Sequence, residues 1–135
     1  MLRDQQISES QAGASATADR PLRIALLSYR SKAHSGGQGI YVRHLSRELA
    51  ALGHHVEVIS GPPYPELDEG PSLTKVPSLD LYREPDPFRV PKLREFRSPI
   101  DVYEFLSVCT GSFPEPLTFS LRARRLLENR PAAER

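Results

Sequence analysis

The sequence predicts an α/β fold that opens with a βαβ unit and is left incomplete. Three observations predict it. Two short apolar runs bracket a Gly-rich loop and an amphipathic helical repeat. Proline is concentrated in the middle of the chain, where 11 of the 13 prolines fall between Gly61 and Pro116. The closing segments are helical, with no further strand to complete a parallel sheet.

The first element follows a leader. Residues 5–19 mix Gln, Ser, Ala and Gly with a single large apolar side chain, too little to offset the entropy of ordering them, so residues 1–20 are read as a disordered leader and 21–135 as the domain. Leu22, Ile24, Ala25, Leu26 and Leu27, bounded by Pro21 and a polar loop, suit a strand buried on both faces. After the loop, Val42, Leu45, Leu49 and Leu52 recur at helical spacing while Arg43, Arg47 and Glu48 take the other face. Gly53 stands where a left-handed C-cap ends a helix, and Val56, Val58 and Ile59 form a second β-branched run that stops at Gly61-Pro62-Pro63. Strand, loop, helix and strand in that order place the two strands parallel, the opening of a doubly wound α/β fold.

The proline-rich stretch reads mostly as loop, with a third short strand between Leu73 and Leu81 broken at Pro77. Ser98-Pro99-Ile100-Asp101 supplies an N-cap, an N1 proline and an acidic N3, so a helix starts there, with Val102, Phe105, Leu106 and Cys109 as its buried face. A last helix is predicted from Thr118, burying Phe119, Ala123, Leu126 and Leu127 and leaving Arg122, Arg124 and Arg125 in solvent. Two secure strands are a poor core for three helices. The chain is therefore expected to be the front part of a longer protein, marginally stable or self-associating through unpaired strand edges when alone.

Composition excludes several functions. The 135 residues carry 18 basic and 17 acidic groups, a net charge of +1, which is not the charge of a nucleic-acid binder. No apolar run is long enough to span a membrane and the leader lacks the core of a secretory signal, so a cytoplasmic location is expected. Cys109, the single cysteine, excludes an intramolecular disulfide and reads as a buried, inert thiol. His34, His44, His54 and His55 share no ligand spacing with a carboxylate or thiolate, so no metal is expected, and His54 reads as a turn residue.

The residues that carry chemistry lie between first strand and first helix. In Ser35-Gly36-Gly37-Gln38-Gly39 the glycines permit positive φ and close approach to a ligand, and the following helix offers free N–H groups and a positive dipole end suited to a diphosphate. Ser28, Tyr29 and Arg30, at the strand's carboxyl end, line the same crevice, with Arg30 and Lys32 as further cations and His34 beside the glycines. Two nucleotide fingerprints fail. A G-x-G-x-x-G starting at Gly37 would need glycine at Val42, and a phosphate-binding Walker loop would need Lys-Ser/Thr where Ile40-Tyr41 stand.

The segments RIALLSYR, SGGQGIYV, RHLSRELAALGHHV and EVIS, from Arg23 to about Ser60, resemble the opening of retaining family 4 glycosyltransferases of the GT-B fold, the group of glycogen, sucrose and mannosyl transferases. The resemblance implies a Rossmann-like N-terminal, acceptor-side domain facing an interdomain cleft. It also implies a nucleotide-diphosphate sugar as donor, an unidentified acceptor, and no cofactor. It assigns donor or substrate contact to Gly36, Gly37, Gln38 and Gly39; His34 joins them from its place in the loop. The paired glutamates of the family's donor site belong to a second domain, and no catalytic residue carries over. The chain alone is accordingly expected to be inactive. The alternative is a non-catalytic module: a truncated remnant, or an acceptor-binding half that needs a partner nucleotide domain.

Overall fold

The computed structural model describes residues 20–32, 37–81 and 90–131. The expected leader, apart from Arg20, lies outside them. Strand β1 (Arg23–Ser28) leads to helix α1 (Gly37–Ala51), then to β2 (His55–Ser60) and β3 (Ser72–Lys75). A single 3-10 turn at Leu93–Glu95 precedes α2 (Pro99–Cys109) and α3 (Glu115–Glu128). The strands form one parallel sheet in the order β1-β2-β3, with Ile24 opposite Val56, Leu27 opposite Ile59 and Ile59 opposite Thr74. The βαβ opening is present. The third strand ends two residues before Pro77, after Val76 N–H has made one more bond, 2.8 Å to Ser60 O.

The sheet positions are set by the two-residue period of β2. Ile59 packs with Val76 and with Phe119 and Ala123 of α3, while Val56 and Val58 are buried at the alternate positions, on the side that α1 covers. Arg30 beside the end of β1 meets Glu115 at the start of α3, and Arg130 beyond its end meets Glu57 near the start of β2, so α3 runs antiparallel to the strands. Gly53 ends α1 as expected. Its φ is +89°, its N–H reaches Ala50 O at 2.9 Å and His54 N–H reaches Leu49 O at 3.2 Å, a paired C-cap that satisfies two orphan carbonyls. His54 Nδ1 in turn accepts from Leu22 N–H, which fixes the turn to the start of β1.

Four expectations are corrected by the packing. β1 is not buried on both faces: its residues alternate, and Leu27 is 53% exposed on the face shared with Ile59, because α3 lies over β2 and β3 rather than over β1. Leu52 does not continue the buried stripe of α1, since the helix has already ended at Ala51. The face of α2 is reversed. Val102, Leu106 and Cys109 are exposed, whereas Ile100, Asp101 and Glu104 are buried, so Cys109 is an accessible thiol. Finally, α3 starts at Glu115 rather than Thr118, and Arg122 is drawn inward by the two carboxylates of α2, although Arg124 and Arg125 are exposed as expected.

Candidate functional site

The site is built around the carboxyl end of β1. After Ser28 the chain turns sharply, with the buried hydroxyls of Ser28 and Ser31 bonded to each other. This turn is pinned to the end of β2: Gly61 N–H donates to Ser28 O at 3.1 Å and Ser31 N–H donates to Pro63 O at 3.0 Å. Backbone contact this close requires glycine. A Cβ on Gly61 would stand 2.5 Å from Tyr29 O, and one on Gly39 would stand 1.9 Å from Lys32 O. Gly39 and Gly61 thus let the loop lie between the first turn of α1 and the end of β2.

Gly37 behaves differently from the sequence expectation. It sits in the first turn of α1 without a positive φ, and a Cβ built on it would meet no protein atom within 4 Å. It is exposed, as is Gln38, and the first turn contains no acidic side chain. The positive end of the helix dipole lies at this first turn, beside the open space over Gly37. His34 and Gly36 lie outside the described residues. Of the five residues expected to contact a ligand, Gly37 and Gln38 are at the surface of the helix start, and Gly39 is the buried one whose missing side chain admits the loop.

Tyr29 does not face an open crevice. It packs against the core formed by Ile59, Val76, Phe119 and Ala123 and, with Glu115 and Arg122, lines a small polar hollow at the carboxyl ends of the strands. Arg30 is ion-paired: its Nη1 is 3.4 Å from Glu115 Oε2. Burial pushes the Glu115 carboxyl above its ordinary range; the nearby charges of Glu104 and Asp80 add to this, and Arg30 works against it. Burial also raises the Tyr64 hydroxyl, with Asp80 contributing. Asp80 adopts a left-handed φ of 48°, which its short polar side chain tolerates, and its N–H donates to Ser78 Oγ at 3.3 Å.

Behind this hollow, Arg122 joins α3 to α2. Its Nη2 donates to Asp101 Oδ1 at 2.6 Å and to Glu104 Oε2. Asp101 also caps its own helix, accepting from the N–H groups of Arg97 at 2.9 Å and Ser98 at 2.8 Å. Burial raises the Asp101 carboxyl, but the bonds from Arg122 and the two N–H groups outweigh it and leave the group below its usual range. Sequence reasoning missed this cluster. Its signal was present: Asp101 and Glu104 are three apart within an apolar helix, and Arg122 falls three after Phe119 on the stripe that Ala123 and Leu126 continue.

Among the described residues no group of His, Cys, Asp and Glu is placed to hold a metal ion, and no helix is long and apolar enough to cross a membrane.

Comparison with known proteins is specific. Residues 36–133 match the family described as a glycosyl transferase 4-like domain. Over 110 residues, 81% of this chain, the sequence is 69% identical to an MMP alpha-(1->4)-mannosyltransferase of Mycolicibacterium hassiacum. The chain spans 27% of the length of that relative.

Proposed function

Because the chain belongs to the glycosyl transferase 4-like family, we propose that it forms the acceptor-side front part of a retaining glycosyltransferase whose donor is a nucleotide-diphosphate sugar. By similarity to the mannosyltransferase relative, the transferred sugar is mannose and the bond formed is α-(1→4). The observation that carries the site assignment is the start of α1. Gly37 and Gln38 are exposed at a helix end free of acidic side chains, with open space where a side chain on Gly37 would stand. A diphosphate fits such an end because N–H groups and dipole both favour negative charge, and the absent Cβ lets the backbone approach it. Gly39 serves the site indirectly by holding the β1 loop against the helix. His34 and Gly36 complete the loop in this reading.

In this reading these 135 residues, which span 27% of the relative's length, supply one wall of the cleft, and isolated from the rest they are expected to be catalytically silent. Preorganised contacts on both sides of the reacting sugar are what lower the barrier. The test uses the full-length reading frame, a panel of nucleotide sugars and an oligosaccharide acceptor. Gly37→Ala lowers kcat/KM by a factor on the order of 10 to 1,000, a loss of ~1.4–4 kcal/mol of transition-state binding. The melting temperature stays near wild type, because the added Cβ meets no protein atom within 4 Å. An unchanged kcat/KM refutes the loop assignment. Turnover at ordinary rates by the 135-residue chain refutes the division of labour between domains.

A further inference from the structure

A hollow of about 430 Å³ opens on the side of the sheet away from β1. That volume lies within the range of small-molecule sites. One wall is apolar: Val76 and Leu79, on the segment leaving β3, Ile100 in the first turn of α2, and Leu126 of α3. The first three are buried side chains, so the wall is held by the core and does not depend on the ligand.

The rest of the lining is polar and charged apart from Pro77. Arg97, Arg122 and Arg125 all border the hollow. Arg122 is only 11% exposed and bonds Asp101 and Glu104 through Nη2 alone. A guanidinium has five N–H donors, so the hydrogens on Nε and Nη1 are uncommitted among the described residues. The side chains of Arg97 and Arg125 make no ion pair or hydrogen bond among the described residues, and both residues are exposed at the rim.

Charge decides what kind of ligand this suits. Among the described residues the three guanidinium groups are matched by three carboxylates: Glu95 and Asp101 on the same lining, and Glu104 on Arg122. An anion would therefore gain little from the summed field. A neutral polyol fits better, because its hydroxyls accept from guanidinium N–H groups and donate to carboxylates while its C–H face lies on an apolar wall.

We propose that this hollow is a subsite for a hexose unit of an oligosaccharide acceptor, remote from the donor-facing start of α1. The inference rests on the transferase reading and extends it. The hollow lies beside β3 on the face that α3 covers, opposite α1 and more than two strand spacings, about 10 Å, from β1. An acceptor whose growing end sits near α1 thus reaches the hollow with sugar units further down its chain.

Saturation-transfer NMR on the whole 135-residue chain tests this, with α-(1→4)-linked mannotriose and inorganic phosphate as separate probes. Mannotriose gives a saturable signal. The double variant Arg97→Ala with Arg125→Ala weakens its affinity by a factor on the order of 10, as expected for lost hydrogen bonds to charged donors. Arg124→Ala, which removes an exposed arginine outside the hollow, leaves the affinity unchanged. No saturable signal, equal binding by the double variant, or displacement of the trisaccharide by phosphate overturns the proposal. Sugar transfer by the full-length enzyme together with any of those results removes the subsite alone. Trisaccharide binding with the expected arginine dependence, but no transfer from any nucleotide sugar, removes the transferase reading and leaves the subsite.

Discussion

Removing the guanidinium of Arg122 is expected to lower stability by about 3–5 kcal/mol, the usual effect of taking one partner from a buried ion pair. The magnitude follows from the burial of what is left behind. Glu104 has 1% of its side chain exposed and Asp101 10%, and both face the Arg122 Nη2. Without it, the Glu104 carboxylate has no ion-pair partner among the described residues and little access to water. A domain of this size has ~5–15 kcal/mol in total, so Arg122→Ala removes a large fraction of it. At roughly 4 °C per kcal/mol the melting temperature falls by about 12–20 °C. Urea unfolding followed by far-UV circular dichroism measures the change, with an unaltered m value showing that the native and unfolded states are otherwise the same. Adding Glu104→Gln to Arg122→Ala should restore part of the loss, because a neutral amide is far less costly to bury than an unpaired charge. A loss below ~1 kcal/mol for Arg122→Ala, or no relief from Glu104→Gln, would refute the reasoning, since it would mean the pair is solvated.

Three further outcomes follow from the same geometry. Gly39→Ala places a Cβ 1.9 Å from the backbone oxygen of Lys32, so the loop and helix must separate; thermal melts should show a loss of about 1–3 kcal/mol, and a loss no larger than that of Gly37→Ala contradicts the close approach. Hydrogen bonds from Arg130 hold the Glu57 carboxyl below its usual range, with Thr74 assisting against burial. A lowered folded-state value means this contribution is complete above the unfolded value of about 4.3 and is lost as pH falls through the folded one. Glu57→Gln should therefore flatten the acid limb of a melting-temperature profile below about pH 5, and a limb parallel to wild type counts against the pair. Val102, Tyr103 and Leu106 are 44–58% exposed on α2, so the isolated chain should self-associate through this face; sedimentation should show Leu106→Lys shifting it toward monomer, and identical sedimentation of the two proteins contradicts the assignment.

What the sequence revealed, it revealed where the controlling interactions are local. The C-cap at Gly53 needs only the backbone freedom of one residue, and the start of α2 needs only Ser98, Pro99 and Asp101 within one turn. The βαβ order follows from hydrophobic periods within about forty residues. The reversed face of α2 depends instead on a partner 18 to 21 positions later: Arg122 makes a charged face the inner one, and periodicity alone assigns charge to solvent. The same limit divides the candidate site. That a glycine loop meets a helix start was readable from Gly37 and Gly39 in order. Which glycine admits backbone and which faces open space was not, because Lys32 O, the atom that decides it, is brought there by the fold of the loop.

The contacts that hold α3 also impose a sequence of events during synthesis. Glu115 is made 85 positions after Arg30, and Arg130 is made 73 after Glu57. At ~5–20 residues per second, roughly 4–17 s pass between translation of Arg30 and translation of its partner. In that interval the nascent chain already contains β1, α1 and β2 but not Phe119 and Ala123, which cover Ile59 in the finished core. One face of the young sheet is then apolar and open, a substrate for chaperones or for a neighbouring nascent chain. The ion pair that holds Arg30 beside the candidate site closes only once the start of α3 has been made.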